Sequence, residues 1–337
     1  MTTKAATPDL KQGKEGAGRG LLKVLGLSAG LGVILVLLLL IFIMPSLKSG
    51  PHDLALGTVA AQADVTALQS AMDKAAPGSF ALVPYASEEE LTDAIKARQV
   101  KGGIVLDADG AEVLVASAGS SPIAASITAV GQALGTQLGR PVTVTDLVPL
   151  PAADPTGVGI GGLAFPLVFG GIVPVVAFRK VFPQSRGWAL GGIAAFAVAG
   201  GIIVSALLTF VFGSVAVAAF WPVAGAVGLG IAALALPLAG LQEVFGGTGF
   251  TLGAMVMMFL GNPLAGIATT GAWLPAGWGD FGQILPPGAA GTLVRSTAYF
   301  GGAGGMTANL TLAAWVVAGV ALCLIAALRA PRPVPAA

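Results

Sequence analysis

The sequence predicts a membrane all-α bundle of six transmembrane helices, with an extracytoplasmic α/β domain inserted between the first and second helices. Three observations predict it. Hydrophobic residues make up 55% of the chain and charged residues 10%, whereas an average soluble domain carries about 25% charged residues. Mean hydropathy is +0.88; no soluble fold hides that much apolar surface, so lipid must solvate much of it. Charges return between residues 49 and 155, where short amphipathic elements replace long apolar runs. Basic residues mark the ends of several apolar runs, which sets their orientation by the positive-inside rule. The formal net charge of +1 favours neither nucleic acid nor an acidic partner.

Residues 1–23 are polar and basic (Lys4, Lys11, Lys14, Arg19, Lys23) and read as a disordered cytoplasmic tail. Residues 24–48 form the first transmembrane helix. Its apolar run is too long for the core of a cleaved signal peptide, and no small-residue cleavage pattern follows it. It therefore reads as a signal anchor with the N-terminus inside.

Residues 49–155 form the α/β domain, with strands expected at 54–59, 80–83, 104–106, 113–115 and 142–148. A helix over 64–76 places Val65, Leu68 and Met72 on one face and closes at Pro77-Gly78. Ser87-Glu-Glu-Glu90 is a capping box that opens a second helix, with Leu91 and Ile95 inward. Asp107-Ala-Asp-Gly110 reads as a hairpin turn. Ser121-Pro122 opens a third helix in which Ile123, Ile127, Val130, Leu134 and Leu138 recur at helical spacing. Asp154 and Pro155 read as the N-cap and first residue of the next span.

Residues 156–260 hold transmembrane helices two to five, at 158–178, 188–212, 221–241 and 250–260. Arg179, Lys180 and Arg186 place the first connection on the cytoplasmic side; Glu243 lies in a turn that is cytoplasmic by count alone. Residues 261–305 are too apolar for an ordinary loop and too rich in Pro and Gly for one straight helix, so they read as an outer re-entrant segment. Asn262-Pro263 should break the fifth helix, because proline lacks a backbone donor and disfavours helix at the residue before it. Residues 306–328 form the sixth helix, and 329–337, with Arg329 and Arg332, a cytoplasmic tail.

No nucleophile–base pair is evident, and the single histidine, His52, makes no metal cluster; it reads as exposed or capping. Cys323, the only cysteine, reads as small-residue packing. Gly157-Val-Gly-Ile-Gly-Gly162 spells a dinucleotide fingerprint but opens a membrane span, and the next acidic residue is Glu243. No phosphate-binding loop of the P-loop type occurs, so the chain reads as no enzyme, without cofactor or metal, and any use of ATP requires another chain. The transport or gating candidates are Asn262, Pro263, Gly266, Asp280, Arg295 and Glu243. Ionisable groups near membrane depth pair or face a cavity. Asp280 and Arg295 either pair across Leu285-Pro-Pro-Gly288 or reach the headgroup region separately; the pattern leaves both open. Glu243 reads as a coupling residue or simply as an interfacial one.

Gly261-Asn-Pro-Leu-Ala-Gly266, Leu285-Pro-Pro-Gly-Ala289 and Arg295, with Gly102-Gly-Ile-Val105 and Val115-Ala-Ser-Ala118 in the α/β domain, carry a resemblance. Together with one basic-flanked anchor, one extracytoplasmic domain and five further spans, they make the chain resemble the permeases of ABC-2 type transporters, in the actinobacterial branch close to the phage infection protein (Pip) group. The resemblance covers nearly all of the chain after the tail. It implies a homodimeric translocation path in the plasma membrane, short re-entrant helices on the outer side, and a separate cytoplasmic ABC ATPase. The tail lacks the amphipathic coupling helix of that family, which keeps a second reading open: a non-transporting envelope protein whose outer domain binds a partner or surface ligand.

Overall fold

The computed structural model describes residues 10–75, 77–107 and 110–329. Helix α1 (Leu10–Lys48) is described by itself. It is helical from Leu10, so the part of the expected disordered tail that is described, 10–23, continues the helix instead. Leu, Lys, Gln, Glu and Ala are good helix formers, and a strong apolar helix lets them propagate. Residues 1–9 and the C-terminal tail from 330 lie outside the described residues.

The α/β domain follows the expected order closely. It comprises β1 (Leu54–Val59), α2 (Gln62–Ala75), β2 (Phe80–Pro84), α3 (Glu88–Lys96), β3 (Gly103–Leu106), β4 (Ala111–Val115), α4 (Ser121–Leu138) and β5 (Val142–Asp146). The sheet order is β2-β1-β3-β4-β5. Strands β3 and β4 pair antiparallel and the other neighbours parallel. Leu54 and Leu56 alternate onto one face, where Leu68 and Met72 of α2 and Ile123, Ile127 and Leu134 of α4 cover them. Ala55 turns to the other face, under Leu91 and Ile95 of α3. The capping box forms: Glu90 N donates to Ser87 Oγ at 3.2 Å. Its return bond comes from the Ala86 amide, one residue earlier than a standard box. The hairpin turn is held by Gly110 N donating to Asp107 Oδ1 at 2.7 Å.

The next helix begins later than Asp154-Pro155 suggested. Residues 154–157 make a turn closed by Gly157 N on Asp154 O at 3.1 Å, and Gly157 has φ 70°. The aspartate still caps: its two carboxylate oxygens accept from Val158 N and Gly159 N at 2.8 Å each. Burial pushes the Asp154 carboxyl up, but the Ser214 hydroxyl and the Gly157–Gly159 amides outweigh it and hold it below the usual carboxylate range.

The helices after this cap are α5 (Val158–Gly161), α6 (Ala164–Val181), α7 (Arg186–Ala206), α8 (Phe220–Val256), α9 (Trp278–Ile284), α10 (Pro286–Tyr299) and α11 (Met306–Arg329). Among the described residues, five helical segments are long and apolar enough to cross a membrane: Gly20–Lys48, Val158–Val181, Arg186–Val211, Val217–Gly261 and Met306–Arg329. This is the architecture of a multi-pass membrane protein. The expected fourth and fifth runs lie together in the 45-residue segment Val217–Gly261.

That segment is not straight. Gly246 sits at φ 67°, ψ −157°, outside helical space. In a straight helix Leu238 and Gly253 would be about 22 Å apart at 1.5 Å per residue. Instead a Cβ on Gly253 would lie 2.8 Å from Leu238 Cδ2. The chain therefore folds back on itself at Gly246, and Phe250 and Ala254 pack with Leu238 and Ala239. The first half of α8 forms the centre of the bundle, against α6, α7, α10 and α11.

A side chain at Gly246 would have to adopt a backbone region essentially reserved for glycine, at about 1–3 kcal/mol. Gly246→Ala should lower the thermal midpoint of the purified protein clearly. Gly247→Ala, which meets nothing within 4 Å and needs no positive φ, should leave it close to wild type. Equal midpoints would contradict the fold-back.

Candidate functional site

Residues 257–305 contain the largest concentration of broken backbone. A π-helical turn, Met257–Gly261, ends the second half of α8. Pro263 follows, so the break falls where its missing amide requires, although Asn262 itself stays right-handed at φ −71°, ψ −51°. Gly266, at φ 60°, reverses the chain; a Cβ there would come within 2.6 Å of the Thr270 backbone. A 3-10 turn (Gly271–Trp273) leads to α9, and Leu285 separates α9 from α10. Leu285-Pro-Pro-Gly288 is the start of α10, with proline in its first turn.

Helix α10 is buried on almost every side from Pro286 to Ser296. The segment begins inside the bundle, where Gly261 lies against Pro287 of α10, and its middle lies against the α/β-domain side. Gly50 N donates to Trp273 O at 3.0 Å, and His52 Nε2 bonds to the Leu274 carbonyl, so His52 is half-buried in this junction and not a free surface group. After α10, Phe300 packs among Leu91 and Ile95, and Gly304 passes beside Arg98. Helix α11 then runs away from the α/β domain, and its Ala326 carbonyl accepts from Arg186 Nη1 at 3.4 Å.

Arg295 is the charged centre of this junction. It is 8% exposed. Its Nη1 donates to Gly119 O of the α/β domain at 2.9 Å, and its Nη2 donates to Ile267 O of the broken segment at 2.5 Å. Neither sequence-derived arrangement of Asp280 and Arg295 holds. Asp280 is exposed in the first turn of α9, and Arg295 turns inward onto carbonyls. Other side chains do the same at neighbouring breaks. Gln283 Nε2 donates to Ala265 O at 3.2 Å while its Oε1 accepts from Thr292 Oγ1 at 2.6 Å. Ser296 Oγ donates to Ala303 O at 2.7 Å, Tyr299 OH to Ser214 O at 3.0 Å, and Trp315 Nε1 to Ile284 O at 2.8 Å. Asn262 is buried at 8% exposure with its Oδ1 unpartnered.

Glu243 lies at the opposite end. Its carboxylate pairs with Arg179 and, at 2.7 Å, with Arg186 Nε, with Glu243 9% exposed. One carboxylate thus ties the end of α6, the start of α7 and α8. The candidates therefore form two separate clusters. Arg295 joins the broken segment to the α/β domain, Asn262, Pro263 and Gly266 lie within that segment, Glu243 belongs to the second cluster, and Asp280 joins neither. No group of three or more metal-ligating side chains occurs among the described residues.

Arg98 and Lys101 also meet this junction and were not singled out by the sequence. The Arg98 guanidinium lies 5.0 Å from the Phe300 ring centroid. Burial lowers the Arg98 pKa; burial and the Arg98 charge lower that of Lys101. In the sequence they sit at an ordinary polar helix end, and nothing local signals that Phe300 will cover them. No protein-family model, curated protein or solved structure matches the chain.

Arg295→Ala would strand two carbonyls, Gly119 O and Ile267 O, and each unsatisfied buried group costs about 1–3 kcal/mol. Arg186 is 43% exposed and shares Glu243 with Arg179, so Arg186→Ala should cost about 0–1 kcal/mol. Thermal melts of both variants in the same detergent should therefore show a much larger loss for Arg295→Ala. Equal losses would refute the junction role.

Proposed function

We propose that the chain is a membrane permease subunit of an ABC-2 type exporter, in which two copies form a path driven by a separate cytoplasmic ATPase. The observation that supports it best is the broken segment, which meets the α/β-domain side at Trp273 and Leu274 and returns as the buried helix α10 between α6, α8 and α11. Irregular backbone at membrane depth is tolerated only against protein or along a cavity, and helices that enter and return on one side are a common device of transport proteins.

In this reading the fold-back at Gly246 divides Val217–Gly261 into two spans, giving six. The α/β domain and the broken segment lie outside, and both termini inside. Arg179, Lys180 and Arg186 at the other end agree with the positive-inside rule. A cavity of about 600 Å³, lined by Val158, Leu163, Pro166, Val204 and Leu208 with Asp154 among them, offers apolar walls beside one carboxylate. Its chemistry suits an amphipathic cargo. The second reading, an envelope protein whose α/β domain binds a partner, draws on the fastening of that domain to the bundle by Arg295.

Two measurements test the proposal. After Cys323→Ser, single cysteines at positions 247 and 184 should resist a membrane-impermeant thiol reagent applied from outside, and one at position 107 should react. Reaction at 247 would remove the sixth span. Purification from its host in mild detergent should bring down a nucleotide-hydrolysing subunit, and inverted vesicles should show ATP-dependent movement of an amphipathic dye. Failure of both would overturn the transport reading.

A further inference from the structure

We propose that the α/β domain binds a small inorganic anion, of halide size, in the cavity that Arg98, Lys101 and Ser120 enclose beneath Phe300. The inference is independent of whether the chain transports anything. The cavity is about 30 Å³ and is lined by these four residues with Gly119 and Thr270 among others. A space of about 10–15 Å³ holds one water, so the inner part of this cavity is of a size for a single small ion.

Three features point to negative charge there. First, two cations face the cavity without a counter-ion. Among the described residues the ion pairs both belong to Glu243, and none involves Arg98 or Lys101. Arg98 Nη1 is fully buried and has no hydrogen-bond partner. A desolvated charge left unpaired is costly. Water could accept its hydrogen bond but could not offset its charge.

Second, Ser120 is 4% exposed and its Oγ is buried without a partner. It stands at the N-cap of α4 in the extended conformation, φ −170°, ψ 112°, yet its side chain makes no capping bond. A hydroxyl in that position normally accepts from the next turn. Here it is free to donate into the cavity.

Third, α4 is an 18-residue helix whose positive end opens at this point. Helix N-termini favour anions. Arg98 itself follows the C-cap of α3 at φ 62°, where its amide donates to Ile95 O and that of Gln99 to Ala94 O. It is fixed in place between the Phe300 ring and Gly304, whose Cβ position lies 3.2 Å from Arg98 Cβ and Cδ. Behind the wall, Arg295 bonds to Gly119 O at 2.9 Å and adds a third positive charge.

The test uses the full-length protein in zwitterionic nanodiscs at constant ionic strength, with sodium gluconate replaced stepwise by sodium chloride or bromide. The melting temperature should rise and saturate with either halide. The chloride-35 NMR line should be broadened by the protein and narrowed by added bromide. Ser120→Ala removes one hydroxyl and keeps the fold; it should raise the half-saturating chloride concentration several-fold. Arg98→Gln and Lys101→Gln should raise it at least tenfold. Identical melting in gluconate and chloride, or an unchanged chloride response in all three variants, would overturn the proposal. So would a response to phosphate or acetate with none to chloride, because the site would then accept a larger anion.

Discussion

The buried guanidinium of Arg295 is the interaction on which the junction depends. It holds one carbonyl of the α/β domain and one carbonyl of the broken segment. Both lie where the backbone leaves regular structure, so neither has a helical or sheet donor. Planar, fixed donors suit arginine for this; a lysine would place one point charge where two carbonyls must be reached. The same solution recurs nearby. Gln283, Ser296, Tyr299 and Trp315 each send a side-chain donor to a carbonyl freed by a break. In a low-dielectric setting each unsatisfied carbonyl would be expensive. The broken segment keeps one shape because side chains replace the missing ladder.

Between this junction and the Glu243 cluster run the first half of α8 and helix α11. They pack closely enough that Gly319 admits the Leu236–Pro237 backbone and Gly240 admits Leu322; a Cβ on either glycine would fall within 2.6 Å of the neighbour. Close backbone contact through small residues is how membrane helices associate when lipid removes the hydrophobic drive. The bundle is thus tied by charge at one end, by polar side chains at the other, and by packing between.

Much of the fold was legible in the sequence because it rests on local rules. The strands β1 to β4, the cap at Ser87 and the hairpin at Asp107–Gly110 follow from alternation, capping and turn chemistry. Pro263 marked the break correctly for the same reason. The errors were of two kinds. Helix α1 begins inside a segment that looked too polar, because an adjoining strong helix carries weak residues with it. Asp280 and Arg295 were read as a pair or as two separate headgroup contacts because both are rare charges in one stretch, but charge scarcity carries neither distance nor burial. Arg295 meets Gly119 across 176 positions, and no pattern in either neighbourhood encodes that contact. Arg98 and Lys101 were missed for the same reason: their burial is conferred by Phe300 from the far end of the chain.

Hydrogen–deuterium exchange on the full chain in nanodiscs, comparing wild type with Arg295→Gln, tests the junction most directly. The account predicts faster exchange in two stretches distant in sequence, around Gly119–Ala124 and around Ile267–Trp273, with the central strands β1 and β3 unchanged, because local opening follows the loss of a shared tie. Unchanged exchange in both stretches, or a change confined to α10, would contradict it.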